Sequence, residues 1–178
     1  MQGCPCLAIS RNEKFMIRHA TRAAAITLLG LSTLSGIGAR PAWAGTFSDL
    51  AGSWAGTGTL NRKDGASERL RCQARYDVEG AGEQMNLRIT CASDSFKFDL
   101  TGYIINSGGT ISGQWSEPNY NSTGSMDGRA SEGRITAHAV GNTFSAQLSV
   151  TTQGNRQAVT IQPQETDVTR VSLTFQKR

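Results

Sequence analysis

The sequence predicts an all-β protein, a single antiparallel up-and-down β-barrel of eight to ten strands. Three observations carry this. From Gly45 onward the apolar residues recur with a period of two, which gives each strand one buried and one wet face. Sixteen glycines lie in residues 45–178, many at turn signals that recur about every 10–25 residues, such as Asp64-Gly65, Ser107-Gly108-Gly109 and Gly154-Asn155. No segment of 45–178 carries an apolar period of useful helical length.

Residues 1–44 are set apart from this pattern. Arg18 and Arg22 precede an apolar stretch from Ala23 to Ile37, and Pro41 stands just before Ala42-Trp43-Ala44. This is the anatomy of a secretory signal peptide cleaved after Ala44. Translation starting at Met16 is an alternative to Met1, because residues 1–15 add no signal character. The apolar run is short and broken by Gly, Ser and Thr, so no membrane span is expected after cleavage. Cys4 and Cys6 precede the run and do not fit a lipoprotein anchor. The signal has a bacterial look, so the expected compartment is the periplasm, with secretion as the alternative.

The remaining segment, 45–178, is long enough for one domain that buries about 65% of its unfolded surface. Of 18 basic and 14 acidic residues in the chain, five and one lie before Gly45, which leaves 13 of each. A neutral domain argues against a surface that tracks nucleic acid phosphates.

The strands follow in order. Trp54, Gly56 and Gly58 share one phase of the first, where the glycines let the strand bend or a neighbour approach. Leu70, Cys72, Ala74, Tyr76 and Val78 alternate with polar residues, as do Met85, Leu87, Ile89 and Cys91. A hairpin turning at Gly80–Gly82 opposes Val78 to Met85, Tyr76 to Leu87, Ala74 to Ile89 and Cys72 to Cys91. All four pairs face inward, and the last is within disulfide reach. Two cysteines in an exported domain point to that bond, closing a loop worth about 3 kcal/mol. Next come Phe96, Phe98, Leu100, Gly102 and Ile104, and then Ile111, Gly113 and Trp115. Residues 116–124 read as one of the longer loops. Later strands are marked by Ile135-Ala137-Ala139, Phe144-Ala146-Leu148-Val150, Val159-Ile161 and Val171-Leu173-Phe175. Closing these strands into a barrel removes exposed edges.

The segment Thr46-Phe47-Ser48-Asp49-Leu50-Ala51-Gly52-Ser53-Trp54 resembles the opening of the calycin barrels. These include lipocalins, avidin-like proteins and the small bacterial inhibitors of secreted metalloproteases. The resemblance implies a short 3₁₀ turn before the first strand, with Trp54 beneath it at the closed end. The inhibitor group tends to carry one disulfide on early strands, a place Cys72 and Cys91 match. The lipocalin Thr-Asp-Tyr element and the late paired tryptophans of avidins are missing.

The chemistry-bearing residues are few. His138 is the one histidine of 45–178 and alternates outward between Ala137 and Ala139. No Cys/His/Asp cluster has zinc spacing, and no calcium loop or Gly-x-Ser-x-Gly elbow occurs, so no metal, cofactor or catalytic residue is expected. Glu117 and Asp127 flank a polar loop, but nothing fixes their separation for acid–base work. Two features suggest a ligand. Large inward residues (Trp54, Tyr76, Phe98 and Trp115) alternate with small ones, which leaves room for a cavity or else interdigitates to fill a dry core. The loop with Glu117, Tyr120 and Asn121 lies where a barrel mouth would contact a partner. Arg69, Arg71, Arg75 and Arg88 form an outward stripe that either attracts an anionic headgroup or polysaccharide or is a solvated strand face balanced by Glu68 and Asp77.

The expected function is non-enzymatic binding of a small, partly apolar molecule in the barrel. The alternative is inhibition of a secreted or periplasmic protease through a flexible segment, Gly45 to Asp49. A structural cell-envelope protein is a further reading.

Overall fold

The computed structural model describes residues 45–178. The expected export segment, 1–44, lies outside the described residues. Ten strands run in chain order: β1 (Gly52–Arg62), β2 (Ser67–Glu79), β3 (Gln84–Ala92), β4 (Lys97–Ser107), β5 (Thr110–Glu117), β6 (Ser122–Ser131), β7 (Arg134–Gly141), β8 (Ser145–Gln153), β9 (Arg156–Gln164) and β10 (Val168–Lys177). Each pairs antiparallel with its sequence neighbours, and β1 pairs with β10 from Trp54↔Lys177 to Leu60↔Val171. The barrel is therefore closed and has no free edge among its ten strands.

The register of β2 against β3 is the one the alternation predicts. Val78 faces Met85, Tyr76 faces Leu87, Ala74 faces Ile89 and Cys72 faces Cys91. The two cysteines are bonded, with Cα atoms 4.1 Å apart. The turn between the strands is a 3₁₀ turn, Gly80–Gly82, in which Ala81 adopts φ 57°.

Strand β6 corrects the sequence reading. Its inward positions are Ser122, Gly124, Met126, Gly128 and Ala130, so one large apolar side chain marks the whole strand. A strand lined with small residues carries almost no hydrophobic period, and the expected loop 116–124 shrinks to residues 118–121, a 3₁₀ turn at Pro118–Tyr120 closed by Asn121 in the left-handed region.

The two ends of the barrel differ. At one end the β4–β5, β6–β7 and β8–β9 hairpins turn on two residues each, and a 3₁₀ turn, Ser48–Leu50, crosses the opening before β1. Here Phe47, Leu50, Trp54, Tyr76, Met85, Ile104, Ile111 and Phe175 are buried together. The indole Nε1 of Trp54 donates to Leu50 O at 2.7 Å, which fixes the turn over the barrel floor. This is the closed end. The other end carries the longer connections, after β1, β3, β5, β7 and β9.

Candidate functional site

Inward side chains near the open end are less covered than their orientation alone would suggest. Ile89, Phe98, Leu100, Met126, Leu148 and Ile161 face inward in phase, yet all are only half-buried. The interior is thus packed most tightly at the closed end and less tightly towards the open end.

The aromatic residues expected to line a ligand divide between the two ends. Trp54 and Tyr76 form the floor, with ring centroids 6.4 Å apart in an edge-to-face pair. The Lys177 Nζ lies 5.5 Å from the Trp54 ring centroid and donates to Asp49 O at 3.1 Å. The Tyr76 hydroxyl donates across the barrel to Gln157 Oε1 at 2.9 Å, and Gln157 Nε2 donates to Thr152 Oγ1 at 3.3 Å. Burial pushes the Tyr76 phenol up to about 12, against a smaller lowering by its bond to Gln157.

Phe98 and Trp115 stand at the open end. The Trp115 ring packs 5.4 Å from Phe144, and its Nε1 donates to Ser125 O at 3.1 Å. Glu117 does not project from the mouth loop. It is 1% exposed, and its carboxylate accepts from the Asp99 amide at 2.7 Å, from Asn119 Nδ2 at 2.8 Å and from the Tyr120 amide at 2.7 Å. It ties β4 to the turn after β5. Asn142, in the β7–β8 connection, accepts from the Thr123 amide at 3.0 Å and donates to Asn121 O at 3.2 Å. The rim from β4 to β8 is held by side-chain-to-backbone bonds, and Tyr120 remains exposed upon it. Desolvation and then the Glu117 charge raise its phenol pKa.

A further rim residue escapes sequence reasoning. Arg62 ends β1 after a register shift at Asn61, and its guanidinium lies 6.0 Å from the centroid of Phe96. Its Nε is buried without a hydrogen bond, 3.7 Å from Asp64 Oδ2. The signal was the phase of Leu60, which carries Arg62 inward. His138 keeps the outward phase, opposite Asp127 and Gln147. Among the described residues no group of three or more His, Cys, Asp or Glu is placed to hold a metal ion.

The N-terminal segment is not a free arm. Phe47 is fully buried, its amide donates to Gly82 O at 2.8 Å, and the Thr46 amide donates to Glu83 Oε1 at 3.2 Å. Asn106 Nδ2 donates to Glu83 Oε2 and, at 3.0 Å, to Thr46 Oγ1. The flexibility expected of Gly45 to Asp49 is replaced by docking, because Phe47 and Leu50 are needed to fill the floor.

A plugged floor within a closed up-and-down sheet defines an antiparallel β-barrel of ten strands. Two solved structures share the fold. Rv2717c from M. tuberculosis has a TM-score of 0.63 at 13% identity, covering 78% of this chain and 98% of its own. The S-type phycobiliprotein lyase CPES from Guillardia theta has a TM-score of 0.54 at 8% identity, covering 74% of this chain and 90% of its own. No protein-family model and no curated protein matches the sequence.

Proposed function

We propose that the protein is an exported, non-enzymatic binding protein that takes a small, partly apolar molecule into its lumen through the open end. One observation carries the reading: apolar side chains from β3, β4, β6, β8 and β9 point inward and yet are only partly buried above a sealed floor. Leaving such surface wet is unfavourable by about 25 cal/mol per Å², so a matching ligand gains by covering it. Phe98, Trp115 and Met126 supply polarizable surface, and Arg62 supplies a charged group at the rim for the polar part of the ligand. Trp54 and Tyr76 act below as the floor. The Cys72–Cys91 bond suits an oxidising compartment, with the periplasm preferred over release to the medium. The outward stripe of arginines suits a barrel surrounded by water, since a membrane barrel presents an apolar band there.

The test is uptake of the apolar fluorescent probe anilinonaphthalene sulfonate, read by its emission and by tryptophan quenching. Leu148→Trp narrows the lumen from an inward position and is expected to weaken uptake at least about tenfold, while the thermal midpoint stays near the wild-type value. Undiminished uptake by a folded Leu148→Trp protein rules out the lumen as the site.

A further inference from the structure

The outer wall of a barrel is normally convex, but here it is hollowed across β10, β1, β2 and β3. The concavity holds about 910 Å³. Its floor is β1, where Ala55 and Thr57 point outward with short side chains. Between them the strand lies close against β10, and a Cβ on Gly56 would come within 2.7 Å of the Phe175 ring. The walls are long side chains in register on both sides: Gln73 and Gln176 oppose Ala55, and Arg71 opposes Thr57. Arg156 extends the row from β9 by facing Gln176, and the Arg178 amide bonds Ser53 O beyond it.

Charge is unevenly placed on this face. Arg71, Arg156 and Arg178 line the hollow, and no Asp or Glu side chain does. Just outside it Arg75 and Arg88 oppose each other directly, an arrangement that costs stability through repulsion. Among the described residues the ion pairs are Arg62–Asp64 and Arg75–Asp77, so the three arginines of the hollow have no acidic partner there.

We infer that this outer hollow is a second binding site, separate from the lumen, and that it takes a carboxylated polysaccharide. Guanidinium forks match carboxylates in a bidentate way, and Arg71 on β2 lies three strand steps, about 14 Å, from Arg156 on β9. That span fits a chain with repeated acids better than a single small anion. Between the arginines stand Thr57 and Thr174 hydroxyls with the Gln73 and Gln176 amides, and Thr90, beyond Gln73 on β3, already donates to Asp99 at 2.7 Å. These groups both donate and accept, as sugar hydroxyls require, whereas a polyphosphate only accepts. Phe175 faces the interior, so the hollow offers no aromatic platform for stacking nucleobases. A flat bilayer would meet the rim and leave the floor empty.

The experiment is calorimetric titration of the purified protein with hexasaccharides of galacturonate and of mannuronate, and with their neutral methyl esters. The acid forms are expected to bind, with affinity falling as salt rises, and the esters are not. The double variant Arg71→Gln/Arg156→Gln is expected to lose at least about tenfold in affinity. Arg129→Gln, on the outward face of β6, keeps wild-type affinity and controls for net charge. Binding of neither acid form, equal binding of the esters, or an unaltered affinity in the double variant overturns the proposal. Preference for polyphosphate or for phosphatidylglycerol vesicles over the sugar acids overturns it as well. None of these readouts depends on the lumen.

Discussion

The indole of Trp115 rests on Gly141. A Cβ placed on Gly141 would lie 2.7 Å from both Cη2 and Cζ2 of that ring, and one on Gly124 would lie 2.8 Å from Cζ2. Two glycines on β6 and β7 thus form a seat for the largest side chain of the open end, with Phe144 as its back. Gly141 keeps an ordinary backbone angle, so steric room rather than a left-handed conformation makes it glycine.

Gly141→Ala is therefore expected to unseat Trp115 and cost about 1–3 kcal/mol, since an added methyl has no free volume to enter. Urea denaturation gives the loss, and a red-shifted tryptophan emission reports the displaced ring. An unchanged midpoint and spectrum would mean that the indole does not occupy that seat.

The floor should respond to alkali. The folded Tyr76 phenol titrates at about 12 against an ordinary value of 10.0. Its neutral form contributes stability that is fully present below pH 10 and is lost as pH rises through about 12. Tyr76→Phe is expected to flatten the fall in thermal midpoint across that window. At neutral pH the same change leaves Gln157 Oε1 without its donor and costs about 1–2 kcal/mol.

Acid should loosen the N-terminal latch. The bond from Asn106 holds the Glu83 carboxyl below its ordinary 4.5 against a raising by burial, and the bonds with Thr46 lower it further. The ionised form contributes stability present above the ordinary value and lost as pH falls through the folded one. Limited proteolysis near Thr46 is expected to accelerate in that acid range for the wild type. Glu83→Gln should show fast cleavage already at neutral pH, with little further change on acidification.

Replacing both Cys72 and Cys91 by serine is expected to cost about 3 kcal/mol, and a reductant should lower the wild type alone. Guanidinium denaturation with and without dithiothreitol separates the two. Equal midpoints for oxidised wild type and the double variant would refute the contribution.

Most of the barrel can be read from the sequence because a period of two is a direct image of an inward and an outward face. The β2–β3 hairpin is the clearest case, since Gly80–Gly82 fixes a centre and four inward pairs then fall into place. Strand β6 escapes the same reading, because Ser122, Gly124, Gly128 and Ala130 were selected for closeness rather than for hydrophobicity. The candidate site divides similarly. Phase places Trp115 and Phe98 inward and the calycin-like opening places Trp54 at the closed end, but only the pairing around the barrel reveals that Tyr76 joins it in the floor. Phase cannot show that Glu117 turns back to the Asp99 amide, because that bond joins residues on different strands. The outer hollow depends on Arg71 and Arg156 lying in neighbouring rows, a proximity created by closure.

The seam between β1 and β10 also sets the order of events during folding. Trp54 is matched to Lys177, near the far end of the chain, so the first strand cannot complete its hydrogen bonds until the last has emerged. Until then Gly56, Gly58 and their neighbours form an open ribbon that is vulnerable to pairing with another molecule. Such long-range closure makes folding slow relative to a protein of local contacts. A circular permutant that joins the two termini and opens the Lys63–Ala66 turn makes the β10–β1 pair a local hairpin but moves the first-to-last seam to β1 and β2, and should therefore fold at a similar rate.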